Sequence, residues 1–228
     1  MANLAKTLNP LHKNLREAFK TRANPQVITA HFLKLHGVLH SKVVAPESPW
    51  SYEDDLLNDL DEQGFRRIPR NREHSVVWVV WHLSRIEDVV MNILAADRDQ
   101  VFEKEHWQAK THSPIKHTCN GTKMDVTASI SKTLDLKSLR EYRYAVGRAT
   151  REIIPTLTWE DFRRKPEPAQ LQRIMDEGAV LPVGMSTIDY WASRDVAGLL
   201  LMPPTRHAII HWNEARELIN RKEKVGRT

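Results

Sequence analysis

Glu73-His74-Ser75-Val76-Val77-Trp78-Val79-Val80-Trp81-His82-Leu83-Ser84-Arg85-Ile86-Glu87-Asp88-Val89-Val90 is the stretch that decides between a helical fold and a sheet. Its valines favour a strand by composition. Its rhythm does not. Ser75, Trp78, Val79, His82, Ile86, Val89, Val90 and Ile93 fall within about a third of a helical wheel, and Arg85, Glu87 and Asp88 fall outside it. The spacing predicts one long helix over 71–96, with His82 at the centre of its apolar stripe. A lone histidine on an apolar face is usually a satisfied core residue, so its meaning depends on what else is buried beside it.

The second informative stretch supplies that. Pro203-Pro204-Thr205-Arg206-His207-Ala208-Ile209-Ile210-His211-Trp212-Asn213-Glu214-Ala215-Arg216 reads as a helix start, with proline where a missing N–H costs nothing. His207 and His211 are four apart, which places them ~40° apart and roughly 6 Å along the axis. Ala208, Ala215, Leu218 and Ile219 continue an apolar face beside them. Taken alone, this HxxxH pair equally fits two ordinary histidines, one in solvent and one on a carbonyl. With His82 there are three imidazoles among alkyl groups, and an unpaired buried polar group costs ~1–3 kcal/mol. One divalent cation would satisfy all three, with ring nitrogens about 2.0–2.2 Å from it. Three nitrogens suit Zn, Ni, Fe or Co, with Mn also open, and leave positions for water or substrate. Glu214 could hold a ring N–H as an outer partner or simply be solvated. Arg85 could meet an anionic substrate group or snorkel outward. Trp78 lies one turn before His82 as a pocket wall, or as a plug over the centre.

Working outward, 3.6-residue rhythm predicts further long helices centred near Phe32 and Val146. Asn9-Pro10 opens an additional leading helix, and Asn24-Pro25 ends it and starts the next, to about Ser41. That second helix carries another HxxxH pair, His36 and His40, placed at or beyond the edge of its stripe and expected as surface or boundary histidines. His36 is the extra imidazole expected nearest the opening of the three-histidine site. Ser51 to Asp54 reads as a capping box opening a helix that Gly64 terminates. Short helices are expected at about 100–109 and 126–132, and one longer helix over 186–201. The fold class is all-α: a four-helix bundle with an extra N-terminal helix and short helical insertions between core helices, in one domain over 1–228.

Composition narrows the functions. The chain has 228 residues, 41% hydrophobic and 28% charged, which allows a real core. No apolar run of membrane-spanning length is present, and Met1 to Lys20 does not read as a signal peptide. Cys119 is the only cysteine, so no disulfide forms within the chain and a cytoplasmic location is the default. The net charge of +5 is spread over 34 basic and 29 acidic residues, which gives no nucleic-acid surface. Motifs for dinucleotide or phosphate loops, serine nucleophile elbows and zinc ribbons are absent.

Trp81-His82-Leu83-Ser84-Arg85-Ile86-Glu87-Asp88 resembles the second-helix motif of the DinB/YfiT-like metalloenzyme family. Arg206-His207 with His211-Trp212-Asn213-Glu214-Ala215 resembles that family's fourth-helix motif. The resemblance implies a four-helix bundle holding Ni or Zn on three histidines, here His82, His207 and His211. It also implies thiol-dependent chemistry, since members with assigned roles are S-transferases using a low-molecular-weight thiol or a mycothiol-dependent isomerase. The expected function is a metal-dependent thiol transferase or hydrolase acting on a small-molecule substrate, with a homodimer also open and neither nucleic acid nor membrane as partner. The alternative is a non-catalytic metal-binding or stress-related bundle that works through protein association. The insertions at 97–134 and 158–186 depart from the compact pattern and are expected over the bundle or at a partner surface.

Overall fold

In the computed structural model, which describes residues 4–221, the long helices are α1 (Leu4–Lys20), α2 (Pro25–Leu39), α3 (Val76–Asp88), α4 (Leu136–Ile153) and α5 (Ala208–Asn220). No strand occurs among the described residues, and the Val76–Val80 run is helical. A valine in a helix costs at most about 0.7 kcal/mol relative to alanine. Burying its side chain contributes about 1.5–3 kcal/mol, so burial decides the conformation.

The burial is complete. Every residue of α3 is buried, including Arg85, Glu87 and Asp88. The helix lies at the centre, packed on α4 and α5, while α1 pairs with α2. A helix surrounded on all sides has no solvent face. Arg85, Glu87 and Asp88, which fall outside the apolar stripe, are therefore as buried as the residues within it. Ser75 opens α3 by accepting from the Trp78 N–H at 3.1 Å. Beyond Asp88 the chain continues as a π-helical stretch, Val89–Ala95. Its last carbonyls are met by side chains from residues 158–186. Arg164 donates to Leu94 and Ala95 at 3.1 and 3.0 Å, and Gln170 donates to Ile93 at 2.8 Å. Ile174, Ala179, Val180, Ile188 and Trp191 pack with Ile86, Val89, Val90 and Ile93 as a second part of the core. This insertion therefore covers the bundle.

Several boundaries differ from the sequence expectation. α1 begins well before Pro10, which sits inside it. Gly64 lies within the short helix Glu62–Arg66, where its N–H is capped by Asp61 at 2.7 Å, so it does not terminate a helix. The 186–201 segment is two helices, Met185–Ser193 and Val196–Leu200, because Asp195 starts the second by accepting from the Gly198 N–H. Residues 1–3 and 222–228 of the expected single domain lie outside the described residues.

Candidate metal centre

α5 does not start directly at Pro204. A π-helical turn, Met202–His207, carries Pro203 and Pro204 and runs into Ala208. Prolines have no N–H to leave unpaired in such a turn, and π-turns recur at functional sites. The turn delivers His207 one helical step before α5, with His211 following inside it.

The three histidines meet. His82 Nε2 lies 3.2 Å from His207 Nε2, and His211 Nε2 lies 3.1 Å from the same atom. The other nitrogens of two of the rings are already engaged. His82 Nδ1 donates to the Thr118 carbonyl at 2.5 Å, and His211 Nδ1 donates to Glu214 at 2.7 Å. Both rings therefore present an Nε2 lone pair to the meeting point. His207 can answer only one of them with a proton, and its Nδ1 is buried without a partner. Burial, with the neighbouring imidazoles second, holds His82 well below the ordinary histidine range and His207 at about 3. These are neutral imidazoles, the form that ligates metal. Nitrogens bound to one cation at usual zinc distances stand about 3.0–3.4 Å apart, so this donor set fits a single divalent ion. Among the described residues no fourth ligating side chain joins the group. The centre comes to the surface along one edge, where the side chains of His211, Glu214 and His74 are 15%, 25% and 25% exposed.

The surrounding contacts come from three parts of the chain. Trp78 stacks on His82, with ring centroids 4.5 Å apart and planes 15° apart, and reaches His211 at 5.6 Å. It lies against a ring face as a wall. The loop that orients His82 belongs to the first insertion, at 97–134, and carries no side-chain motif that marks it. Successive carbonyls of Lys116, His117 and Thr118 accept from Arg85 Nε, Trp81 Nε1 and His82 Nδ1 at 2.8, 3.0 and 2.5 Å. Glu214 bonds a second imidazole as well: His74 Nδ1 donates to it at 2.7 Å. Burial alone would raise the Glu214 carboxyl, but the bonds from His211 and His74 outweigh it and hold it at about 2.

Two pocket candidates do not line the site. Arg85 is 0% exposed and donates to Tyr142, Gln100 and Asp88 as well as to Lys116, under the ring of Phe102. It has no side facing an opening, because α3 is enclosed. His36 is not the extra imidazole at the mouth, and His36 and His40 are not surface residues. Both are 0% exposed and bind Glu87, at 2.9 and 3.0 Å. Glu87 follows His82 by five positions, about 140° around the helix, so the two histidine clusters face different ways.

His36, His40 and Glu87 also bring ligand atoms within 4.8 Å of one another. There the guanidinium of Arg143 lies 2.7 Å from Glu87 and 2.9 Å from His40 and takes the cation's place. Thr150 adds a donor to Glu87 at 2.7 Å. Burial opposes charge on Glu87, but His40, Arg143 and His36 outweigh it and hold the carboxyl well below the usual range. This cluster is a closed ion network.

A search of curated proteins finds no match to the chain. The sequence does match the DinB superfamily over residues 49–183. That span contains α3 with His82, the 116–118 loop and α4, and it ends before His207 and His211. With only helices as regular structure among the described residues and a match spanning more than half its length, the chain belongs to the DinB superfamily.

Proposed function

We propose that His82, His207 and His211 hold one divalent cation, zinc or nickel, in a metal-dependent enzyme of the thiol-transferase or hydrolase type. The observation that carries this is the convergence of three ring nitrogens, His207 Nε2 lying 3.2 and 3.1 Å from those of His82 and His211 and all three within 4.8 Å of one another, while Thr118 and Glu214 occupy the opposite nitrogens of two rings. A bound cation would supply Lewis acidity, lowering the pKa of a water or thiol or polarising a carbonyl. The chain's own part is to keep His82 and His207 neutral, to fix the tautomers of His82 and His211, and to leave one edge free for a small-molecule substrate. The open edge and the three-ligand set support catalysis over a purely structural ion, which four protein ligands normally close.

The test uses tag-free protein loaded with zinc or nickel. It is assayed with a panel of low-molecular-weight thiols against electrophilic acceptors, and with ester and amide substrates. Turnover that needs the metal and is lost in His211→Ala is expected. Stoichiometric metal with no turnover across both panels would favour the alternative, a metal-binding bundle that works through association.

A further inference from the structure

His74 stands just before the Ser75 cap of α3, outside the apolar rhythm that picks out His82. Its ring nonetheless lies flat on Trp78, with centroids 3.5 Å apart and planes 3° apart. Trp78 in turn stacks on His82. His74, Trp78 and His82 follow one another at four-residue steps and form a column of rings along one line of the helix. The far end of this column is tied to α5. Glu214 uses one oxygen, Oε2, for His211 Nδ1 and the other, Oε1, for His74 Nδ1, each at 2.7 Å.

We propose that His74 is a positioning residue of the metal centre, anchoring Glu214 so that His211 keeps its tautomer and its aim. The proposal rests on the three-histidine reading. A partly exposed glutamate bonded only to a neighbour three residues along its own helix is weakly held, because a long side chain loses rotamer freedom for a single solvent-screened bond. A second donor from another helix changes that. The carboxylate is gripped from both sides, and the grip is itself fixed by the stack on Trp78. The result is a closed loop of contacts from His82 through Trp78, His74 and Glu214 to His211. It joins α3 to α5 where their histidines must meet. Partners that orient metal-bound histidines commonly alter metal affinity by about 10–100-fold when removed.

The experiment is a cobalt(II) titration of the metal-free full chain, followed by visible d–d absorption, with circular dichroism as the check on folding. His74→Phe keeps a flat ring for Trp78 and removes the donor. His74→Asn keeps an N–H near the position of Nδ1 and removes the ring. The expected result is one cobalt per wild-type chain, a roughly 10-fold or greater loss of affinity with an altered d–d band in His74→Phe, and recovery to within a few-fold in His74→Asn. Wild-type affinity and spectrum in His74→Phe would overturn the proposal while leaving the metal site standing. Equal losses in both variants would overturn it too, since the bond to Glu214 would not be the cause. A wild-type chain that takes up no cobalt would overturn the three-histidine reading and this proposal with it.

Discussion

The Thr118 carbonyl accepts the Nδ1 proton of His82 at 2.5 Å, so a loop 36 residues away in sequence sets the tautomer of a buried histidine. The loop is held in turn by Arg85, whose Nε donates to Lys116 at 2.8 Å. The helix that carries His82 thus grips, through its own side chains, the backbone that aims His82.

Arg85→Ala should therefore do two things. It removes the charged partner of buried Asp88 and the donors to Lys116 and Gln100. Breaking one side of a buried pair costs about 3–5 kcal/mol. Urea unfolding should show a loss of that size, and metal affinity should fall as the 116–118 loop loosens. A variant within 1 kcal/mol of wild type, by the same order-of-magnitude scale, would show that Arg85 is not the hub described here.

Gly147 makes room for His40. A Cβ at that position would stand 2.6 Å from His40 Nδ1 and 2.9 Å from its Cε1. The ring cannot retreat, because Glu87 and Arg143 hold its other edge. Glycine to alanine in a helix ordinarily adds about 1 kcal/mol. Here overpacking should win, and Gly147→Ala should lose about 1–3 kcal/mol in denaturant unfolding. A stabilised variant would mean that the buried network yields easily.

Glu53 makes the fold lose stability as pH rises from weakly acid to neutral. It is fully buried, with Oε2 3.5 Å from Arg143 Nε, and burial pushes its carboxyl from 4.5 up to about 7, with Arg143 pulling the other way. Between those values the folded chain holds a proton that the unfolded chain has released. The contribution is fully present below about 4.5 and is lost as pH rises through about 7. Glu53→Gln should match wild type near pH 4 and exceed it at pH 8 by on the order of 2–3 kcal/mol. Parallel stability profiles for the two proteins would contradict this.

Metal removal should act on stability as well. A ligand that binds only the native state contributes about 4 kcal/mol at 1,000 times its dissociation constant. Stripping the ion with a chelator should lower the melting temperature, and acid should promote release because each imidazole must be neutral to ligate. An unchanged melting temperature after verified removal would refute the linkage.

The helical rhythm of Leu139, Tyr142, Val146 and Ile153, or of Ile28, Phe32 and Leu35, is a local property, so the long helices are legible in the sequence. The four-residue step from His207 to His211 is likewise set by one helix, and His82 at the centre of its stripe points toward the core. What stripes conceal is a helix with no outside. Wheel logic leaves Arg85, Glu87 and Asp88 outside the apolar stripe because it allows α3 one buried face, yet α3 is enclosed on all sides. His36 and His40 look peripheral for a related reason: their partner Glu87 lies 51 and 47 residues away. The Thr118 carbonyl carries no side-chain signature at all. His74 had a signal, its four-residue steps to Trp78 and His82, but it falls just outside the helix.

The most direct test of the three-histidine centre is the metal content of tag-free protein, measured by elemental analysis after equilibration with zinc or nickel and removal of excess. One ion per wild-type chain is expected, and none in His207→Ala, since His207 Nε2 contacts both other rings. A wild-type chain that stays metal-free, or a folded His207→Ala that keeps a full equivalent, would contradict it.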